Sequence, residues 1–327
     1  MLKIGKLDNE LLKRIIIDKI KYKRDEVLVR PGIGEDCAVL DFGEYECVVS
    51  TDPITAAMEK VGSLAVHISC NDIASNGIEP IGLLLTVLLP EGTTEKDIED
   101  LMDQISETAE ELKVEIIGGH TEITTAVEKP VIVSTAVGRG SKKHNDNKMK
   151  PGDIIYVTKT IGLEGTGIIA TDKRAEVSSI LTEDELTQAE NMLNMVSVVR
   201  EGVIAGTVGT SGMHDITEGG VLGAVWEMCR ISGTGAGITK EDIPISPVTV
   251  KVCNYYRLNP LRLISSGSML IFVPPENCVK IEEEMKKAGI MLTQIGSVSG
   301  EEEGLILISD GKKEIIEPPG SDEIYKV

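Results

Sequence analysis

RPGIGEDCAVLDFGEYECVVSTDPIT, residues 30–55, is the stretch around which the chain is organised. Two short apolar runs, Cys37–Leu40 and Cys47–Val49, predict paired β-strands joined by the turn residues Asp41, Gly43 and Glu44. Asp36 stands just before the first strand and Asp52 just after the second. In an antiparallel pair the start of one strand lies beside the end of its partner. The hairpin therefore brings Asp36 and Asp52 to one end of the sheet. Two adjacent carboxylates repel and call for a cation, and the hydroxyls of Ser50 and Thr51 add hard oxygen ligands suited to Mg²⁺. The same residues also fit two ordinary turn aspartates at strand ends.

The rest of the composition sets outer limits. A length of 327 residues suffices for two domains. Aromatic residues make up only 3%, so the core must be built from aliphatic side chains, as in α/β proteins. The formal net charge of −20 argues against a nucleic-acid backbone or an anionic membrane as partner. It leaves nucleotides open, because metal ions and backbone amides hold phosphates on acidic proteins. The six cysteines show no CxxC pair and no zinc spacing. No signal-peptide core and no membrane-length apolar run is visible, which predicts a reduced, cytoplasmic protein.

In chain order, Leu7–Ile20 has helical apolar spacing. Glu59–Asn76 predicts a mostly buried helix, and inside it lies HISCNDIASNGIEP, residues 67–80. Asn71 and Asp72 are poor helix-interior residues, because their side chains compete for backbone hydrogen bonds. Either they form a metal or phosphate site, or the helix breaks early with Asn71 as a cap. Pro80–Leu89 reads as a buried strand, Glu95–Leu112 as an amphipathic helix, Val114–Ile117 as a short strand ending in GGHTEIT (residues 118–124), and Val131–Gly138 as a further strand. The first part is thus β-β-α-β-α-β-β, an α+β sheet with helices on one face.

Ser141–Asp153, polar and ending in Pro-Gly, is the expected boundary, with domains at 1–142 and 143–327. Strand Asp153–Thr158 and the glycine-rich turn Gly162–Ala170 open the second half. Helix Asp184–Ala205 follows, then SGMHDITEGGVLGAVWEM, residues 211–228, with a helix starting near Thr217. Gly219, Gly220 and Gly223 on its early turns each cost about 1 kcal/mol relative to Ala. They fit either the approach of a ligand or close packing against another backbone. Strands are expected at Gly233–Ile238, Gly267–Pro274, Ile290–Val298, Leu305–Ser309 and Glu314–Glu317, with a helix over Pro275–Ala288 and an extended tail.

Five landmarks in this order, GEDCAVL, STD, NDIASNGIEP, GGHTE and MHDITEGG, resemble the aminoimidazole-ribonucleotide-synthetase-like (AIR synthase related) superfamily of ATP-using enzymes. The resemblance covers nearly the whole chain, and MHDITEGGVLGAVWEM looks closest to the hydrogenase-maturation HypE-like members. It implies two α/β domains and a homodimer whose N-terminal sheets form a barrel, with ATP across a cleft and Mg²⁺ on acidic residues. By position, Asp36, Asp52 and Asp72 look like the metal carboxylates and Thr51 and Asn71 their polar neighbours. Gly118 and Gly119 of the fourth landmark, and Asp215, Gly219 and Gly220 of the fifth, would face the nucleotide.

Two departures from the family pattern stand out. Relatives carry an acidic residue where this chain has His120, and Glu122 points the same way if the segment is extended. Either Glu122 substitutes as the acidic ligand, or His120 binds a substrate or acts as an acid/base; His120 and Glu122 are the catalytic candidates. HypE proteins end in a reactive cysteine, whereas this sequence ends in Val327 and its last cysteine is Cys278. The expectation is an ATP- and Mg²⁺-dependent enzyme phosphorylating an oxygen, such as an amide oxygen, of a small or partner-borne substrate. The alternatives are a non-catalytic nucleotide-binding scaffold and a kinase of the thiamine-monophosphate type.

Overall fold

The structure is a computed structural model that describes residues 7, 9–54, 60–141 and 148–327. The expected domain boundary at 142/143 falls on residues 142–147, outside the described residues. The described chain begins with α1 (Asn9–Ile15), β1 (Val27–Val29), β2 (Ala38–Phe42), β3 (Tyr45–Ile54), α2 (Val61–Ser75), β4 (Pro80–Leu89), α3 (Glu95–Leu112), β5 (Glu115–Ile123) and β6 (Val131–Ser141). The strands form a six-stranded sheet in the order β1-β2-β3-β6-β4-β5, antiparallel throughout except for the β4–β5 pair. Sequence and structure agree on the α+β pattern, with β1 as an added edge strand.

The opening hairpin is longer than the apolar runs suggested. It pairs Ala38 with Val49 and Phe42 with Tyr45 around a tight turn at Gly43, whose amide donates to Asp41 Oδ1. Asp52 consequently lies within β3 and not beyond it. The strand continues past the hydrophobic run because β6 pairs with it as far as Ile54. For the same reason β5 runs on through Gly118–Ile123, which the sequence reading placed after the strand: β4 supplies it with a continuous parallel partner. The expected helix over Leu7–Ile20 is shorter, and it buries no residue among those described.

Helix α2 is the centre of the molecule. Thirteen of its fifteen residues are buried, because β3 and β6 lie under one side, α3 beside it, and the second domain closes the rest. A helix so enclosed has no solvent-facing stripe.

The second half contains β7 (Ile154–Thr158), α4 (Leu163–Asp172), α5 (Arg174–Val177), α6 (Glu183–Asn191), α7 (Val199–Val208), β8 (Gly212–Asp215), α8 (Gly220–Ser232), β9 (Gly235–Thr239), α9 (Pro247–Tyr256), β10 (Met269–Val273), α10 (Cys278–Lys287), β11 (Leu292–Ser299), β12 (Leu305–Ser309) and β13 (Lys312–Ile315). These strands build a second sheet in the order β13-β12-β9-β11-β7-β10-β8. The single helix expected at Asp184–Ala205 is broken between α6 and α7. Met195, Ser197 and Gly267 offer their carbonyls to the ammonium of Lys159 at 3.1, 2.6 and 2.8 Å, and carbonyls turned outward in this way leave the helical ladder. Glu201 completes this partly buried cation site at 2.7 Å.

The two domains meet backbone to backbone. A Cβ on Gly206 would fall 2.5 Å from Gly77 Cα, and one on Gly202 would fall 2.2 Å from the Ala74 carbonyl oxygen. Any side chain at these two positions of α7 would push the helix off α2.

His67 sits in this interior at 6% exposure, with Nδ1 making no hydrogen bond. Burial, and secondarily the charge of Lys159, lower its pKa to about 4. The unfolded ring titrates near 6.5, so on acidification the unfolded chain takes up the proton first. The stability contributed by a neutral His67 is thus full above pH 6.5 and lost as pH falls towards 4. By pH 5 the loss amounts to about 2 kcal/mol. Urea unfolding of wild type and His67→Gln between pH 7.5 and 5 should show wild type losing more stability by about this amount; parallel curves would contradict it.

Candidate functional site

Three segments converge between the domains. The loop before β2 brings Asp36, β3 brings Ser50 and Asp52 on one face by its two-residue alternation, and α2 brings Asp72. Ser50 links them. Its hydroxyl donates to Asp72 Oδ2 at 2.5 Å and stands 3.0 Å from the Asp36 carbonyl oxygen and 3.4 Å from Asp52 Oδ2. From the second domain, β8 delivers His214 and Asp215. The Asp215 amide donates to Ser75 Oγ on α2 at 3.1 Å, which fastens β8 to the same helix.

The electrostatics are those of crowded acids. Burial pushes the Asp72 carboxyl well above the usual carboxylate range, and the charges of Asp215, Asp36 and Asp52 push it further. Cys37 reports the same field: burial raises its thiol pKa, followed by Asp72, Asp36, Asp215 and Asp52. Burial opposes a charge on the His214 ring, yet Asp36, Asp215 and Glu227 together raise its pKa. Deeper in the second domain, burial raises Glu164 to about 7 despite bonds from Ser266, with Asp322 and Asp215 adding to the shift.

Other expected site residues lie elsewhere. Thr51 faces away from the acids, since neighbouring strand residues point to opposite faces; it is exposed and pairs with Thr135 at 2.8 Å. Asn71 is turned about 100° round the helix from Asp72, and its amide is used between the domains. It donates to the Val196 carbonyl at 2.7 Å and accepts from the Val198 amide at 2.8 Å. Gly119 is explained by the sheet, because a Cβ there would fall 2.0 Å from the Leu85 carbonyl oxygen. Gly118, beside it, lies on the same exposed edge strand. Gly220 is explained by packing, a Cβ falling 2.6 Å from the Leu261 carbonyl oxygen. The Gly219 amide, at the start of α8, donates to Asp322 Oδ2 at 2.7 Å. The tail that looked extended thus carries a buried carboxylate against this helix start.

His120 and Glu122 share a face of β5, as an extended segment requires. His120 Nε2 is 3.1 Å from Glu122 Oε2, and both are exposed. Pro53 pairs with Val133, Val133 with Thr86 and Thr86 with His120. The imidazole therefore lies three strands from the Asp52 region, roughly 14 Å across the sheet at ordinary strand spacing, and on the face opposite Asp52.

Sequence reasoning missed the parts played by His214 and Glu227. His214 Nε2 lies 3.3 Å from Asp36 Oδ2 and 3.7 Å from Glu227 Oε2. The signal was the histidine beside Asp215, but nothing local shows that a loop 178 residues earlier in the chain lies against it.

The AIR synthase related protein N-terminal domain matches residues 34–140, and the corresponding C-terminal domain matches residues 150–308. A putative hydrogenase expression/formation protein of Methanocaldococcus jannaschii is 29% identical, across 99% of this chain and 97% of its own. Carbamoyl dehydratase HypE of Rhizobium leguminosarum is 25% identical across 74% of this chain and 70% of its own. Thiamine-monophosphate kinase of Pyrococcus horikoshii is 25% identical across 86% and 87%. Among solved structures, a HypE–HypF complex superposes with a TM-score of 0.77 at 22% identity, covering 94% of this chain and 99% of that one. HypE in complex with ATP gives 0.69 at 19% identity, covering 99% and 98%. At these identities the superpositions speak for the two-domain fold.

Proposed function

The chain belongs to the AIR synthase related family, and from that premise we propose that it is an ATP- and Mg²⁺-dependent enzyme that phosphorylates an oxygen of a small or partner-borne substrate. The observation that carries the reading is the Ser50 hydroxyl shared by the Asp52 and Asp72 carboxylates, with Asp36 reaching it through its backbone carbonyl and adding its charge to the field at Asp72. A buried carboxyl surrounded by other carboxylates is matched either by a proton or by a cation. The all-oxygen donor set fits Mg²⁺, which takes one or two carboxylates and completes its shell with phosphates and water. When bound, the ion would neutralise phosphate charge, the main requirement of phosphoryl transfer.

The chain's own groups have separable tasks in this proposal. Ser50 holds the Asp72 carboxylate in place. Asp36, Asp52 and Asp72 bind the ion, and Asp215 limits the cleft from the second domain. The His120–Glu122 pair lies three strands away on the opposite face of the sheet, the face of Thr51, so within one chain it does not face the ion; Glu122 orients the imidazole. A carbonyl such as an amide oxygen is the acceptor class favoured by the likeness to carbamoyl dehydratases. Exposed Ile81, Leu84, Ile117 and Ile123 on β4 and β5 support a homodimer formed through this sheet. Among the described residues, no helix is long and apolar enough to cross a membrane.

Calorimetric titration of ATP with Mg²⁺ into wild type and Asp52→Asn tests the metal assignment. The variant should bind at least about tenfold more weakly, equivalent to about 1.4 kcal/mol. Equal affinity in the two proteins would remove it. Phosphate release with carbamoyl or other amide substrates then separates an enzyme from a nucleotide-binding scaffold.

A further inference from the structure

One buried nitrogen of the domain interface has no role in the reading above. His214 is 4% exposed, and its Nε2 makes no hydrogen bond. The ring is oriented from its other side, where Nδ1 lies 2.5 Å from the Asp215 carbonyl oxygen. An Nδ1–H donating there leaves Nε2 with its lone pair directed at Asp36 and Glu227. A ring nitrogen that donates to a backbone carbonyl while its partner nitrogen faces anionic oxygens is the arrangement of a metal-bound histidine.

The spacing agrees with this. Ligand atoms about 2.0–2.2 Å from a tetrahedral ion lie roughly 3.4 Å apart, and Nε2 stands 3.3 Å from Asp36 Oδ2 and 3.7 Å from Glu227 Oε2. One donor atom each from Asp36, His214 and Asp215 also fall within 4.8 Å of one another. Imidazole with carboxylates suits borderline ions such as Zn²⁺, whereas Mg²⁺ prefers oxygen alone.

The geometry points to a second cation site, in which His214, Asp36, Asp215 and Glu227 bind a divalent transition ion across the two domains. The site shares Asp36 and Asp215 with the nucleotide reading but needs no nucleotide, so the two can fail separately. Its ion would join the loop before β2 to β8 and α8, fixing the cleft at the edge of the carboxylate cluster.

The experiment uses tag-free, nucleotide-free full-length protein, with Zn²⁺, Co²⁺ and Mg²⁺ as probes. One equivalent of Zn²⁺ should bind in the presence of millimolar Mg²⁺. His214→Gln should weaken it about 100-fold or more, and Asp52→Asn should leave it within about threefold. Should His214→Gln fold poorly, wild type alone decides: Zn²⁺ must shift the His214 ring resonances and Co²⁺ must show visible bands of a nitrogen–oxygen site. No Zn²⁺ binding, equal binding in His214→Gln, or an unshifted His214 ring would overturn the proposal and leave an imidazolium–carboxylate ion pair.

Discussion

Asp72→Asn should stabilise the nucleotide-free protein and, at the same time, abolish its Mg²⁺-dependent hold on ATP. The two effects share one cause. Burial, and then the charges of Asp215, Asp36 and Asp52, push the Asp72 carboxyl well above the usual range. An amide keeps the bond accepted from Ser50 and removes the acid, relieving roughly 1–3 kcal/mol of poorly matched burial. It also removes one of the three proposed anionic ligands, so affinity for ATP with Mg²⁺ should fall about 100-fold or more, equivalent to about 2.7 kcal/mol. Thermal melts with and without Mg²⁺–ATP read both signs at once. A loss of stability without nucleotide, or unchanged nucleotide binding, would contradict the assignment.

Asn71→Leu, one residue away, should behave in the opposite manner. Its amide joins α2 to the break before α7 through the Val196 carbonyl and the Val198 amide. Leucine leaves both backbone groups buried without that partner, at about 1–3 kcal/mol each. Unfolding stability should therefore drop by about 2–5 kcal/mol, with interdomain contacts the first to loosen in hydrogen exchange. A variant of normal stability and impaired ATP binding would return Asn71 to the cofactor-facing role that its place in the motif suggested.

The contrast between these neighbours shows what the sequence makes legible. Asp36 and Asp52 could be brought together from the hairpin alone, because antiparallel pairing is a local rule and the turn at Gly43 sets its register. Asp72 required the helix to lie over that strand end, which a familiar order of motifs suggested and spacing did not. Asn71 and Asp72 were read as one polar anomaly, yet a helix turns adjacent side chains about 100° apart, sending one to a neighbouring domain and the other to the acids. His214 and Glu227 were missed because their partner, Asp36, is distant in the chain. Strand alternation sets Thr51 on the face opposite Ser50 and Asp52, which its neighbourhood in the motif does not show. The glycines of α8 were read as open between ligand and packing, and at Gly220 a backbone 2.6 Å away accounts for the missing side chain.

The most direct measurement is the crystal structure of the protein with ATP and Mn²⁺, located by anomalous scattering. The account predicts a manganese peak within about 2.5 Å of carboxylate oxygens from Asp36, Asp52 and Asp72, with the phosphates on its far side. Nucleotide bound in the cleft with no manganese at these three side chains, or with its phosphates turned away from them, would contradict it.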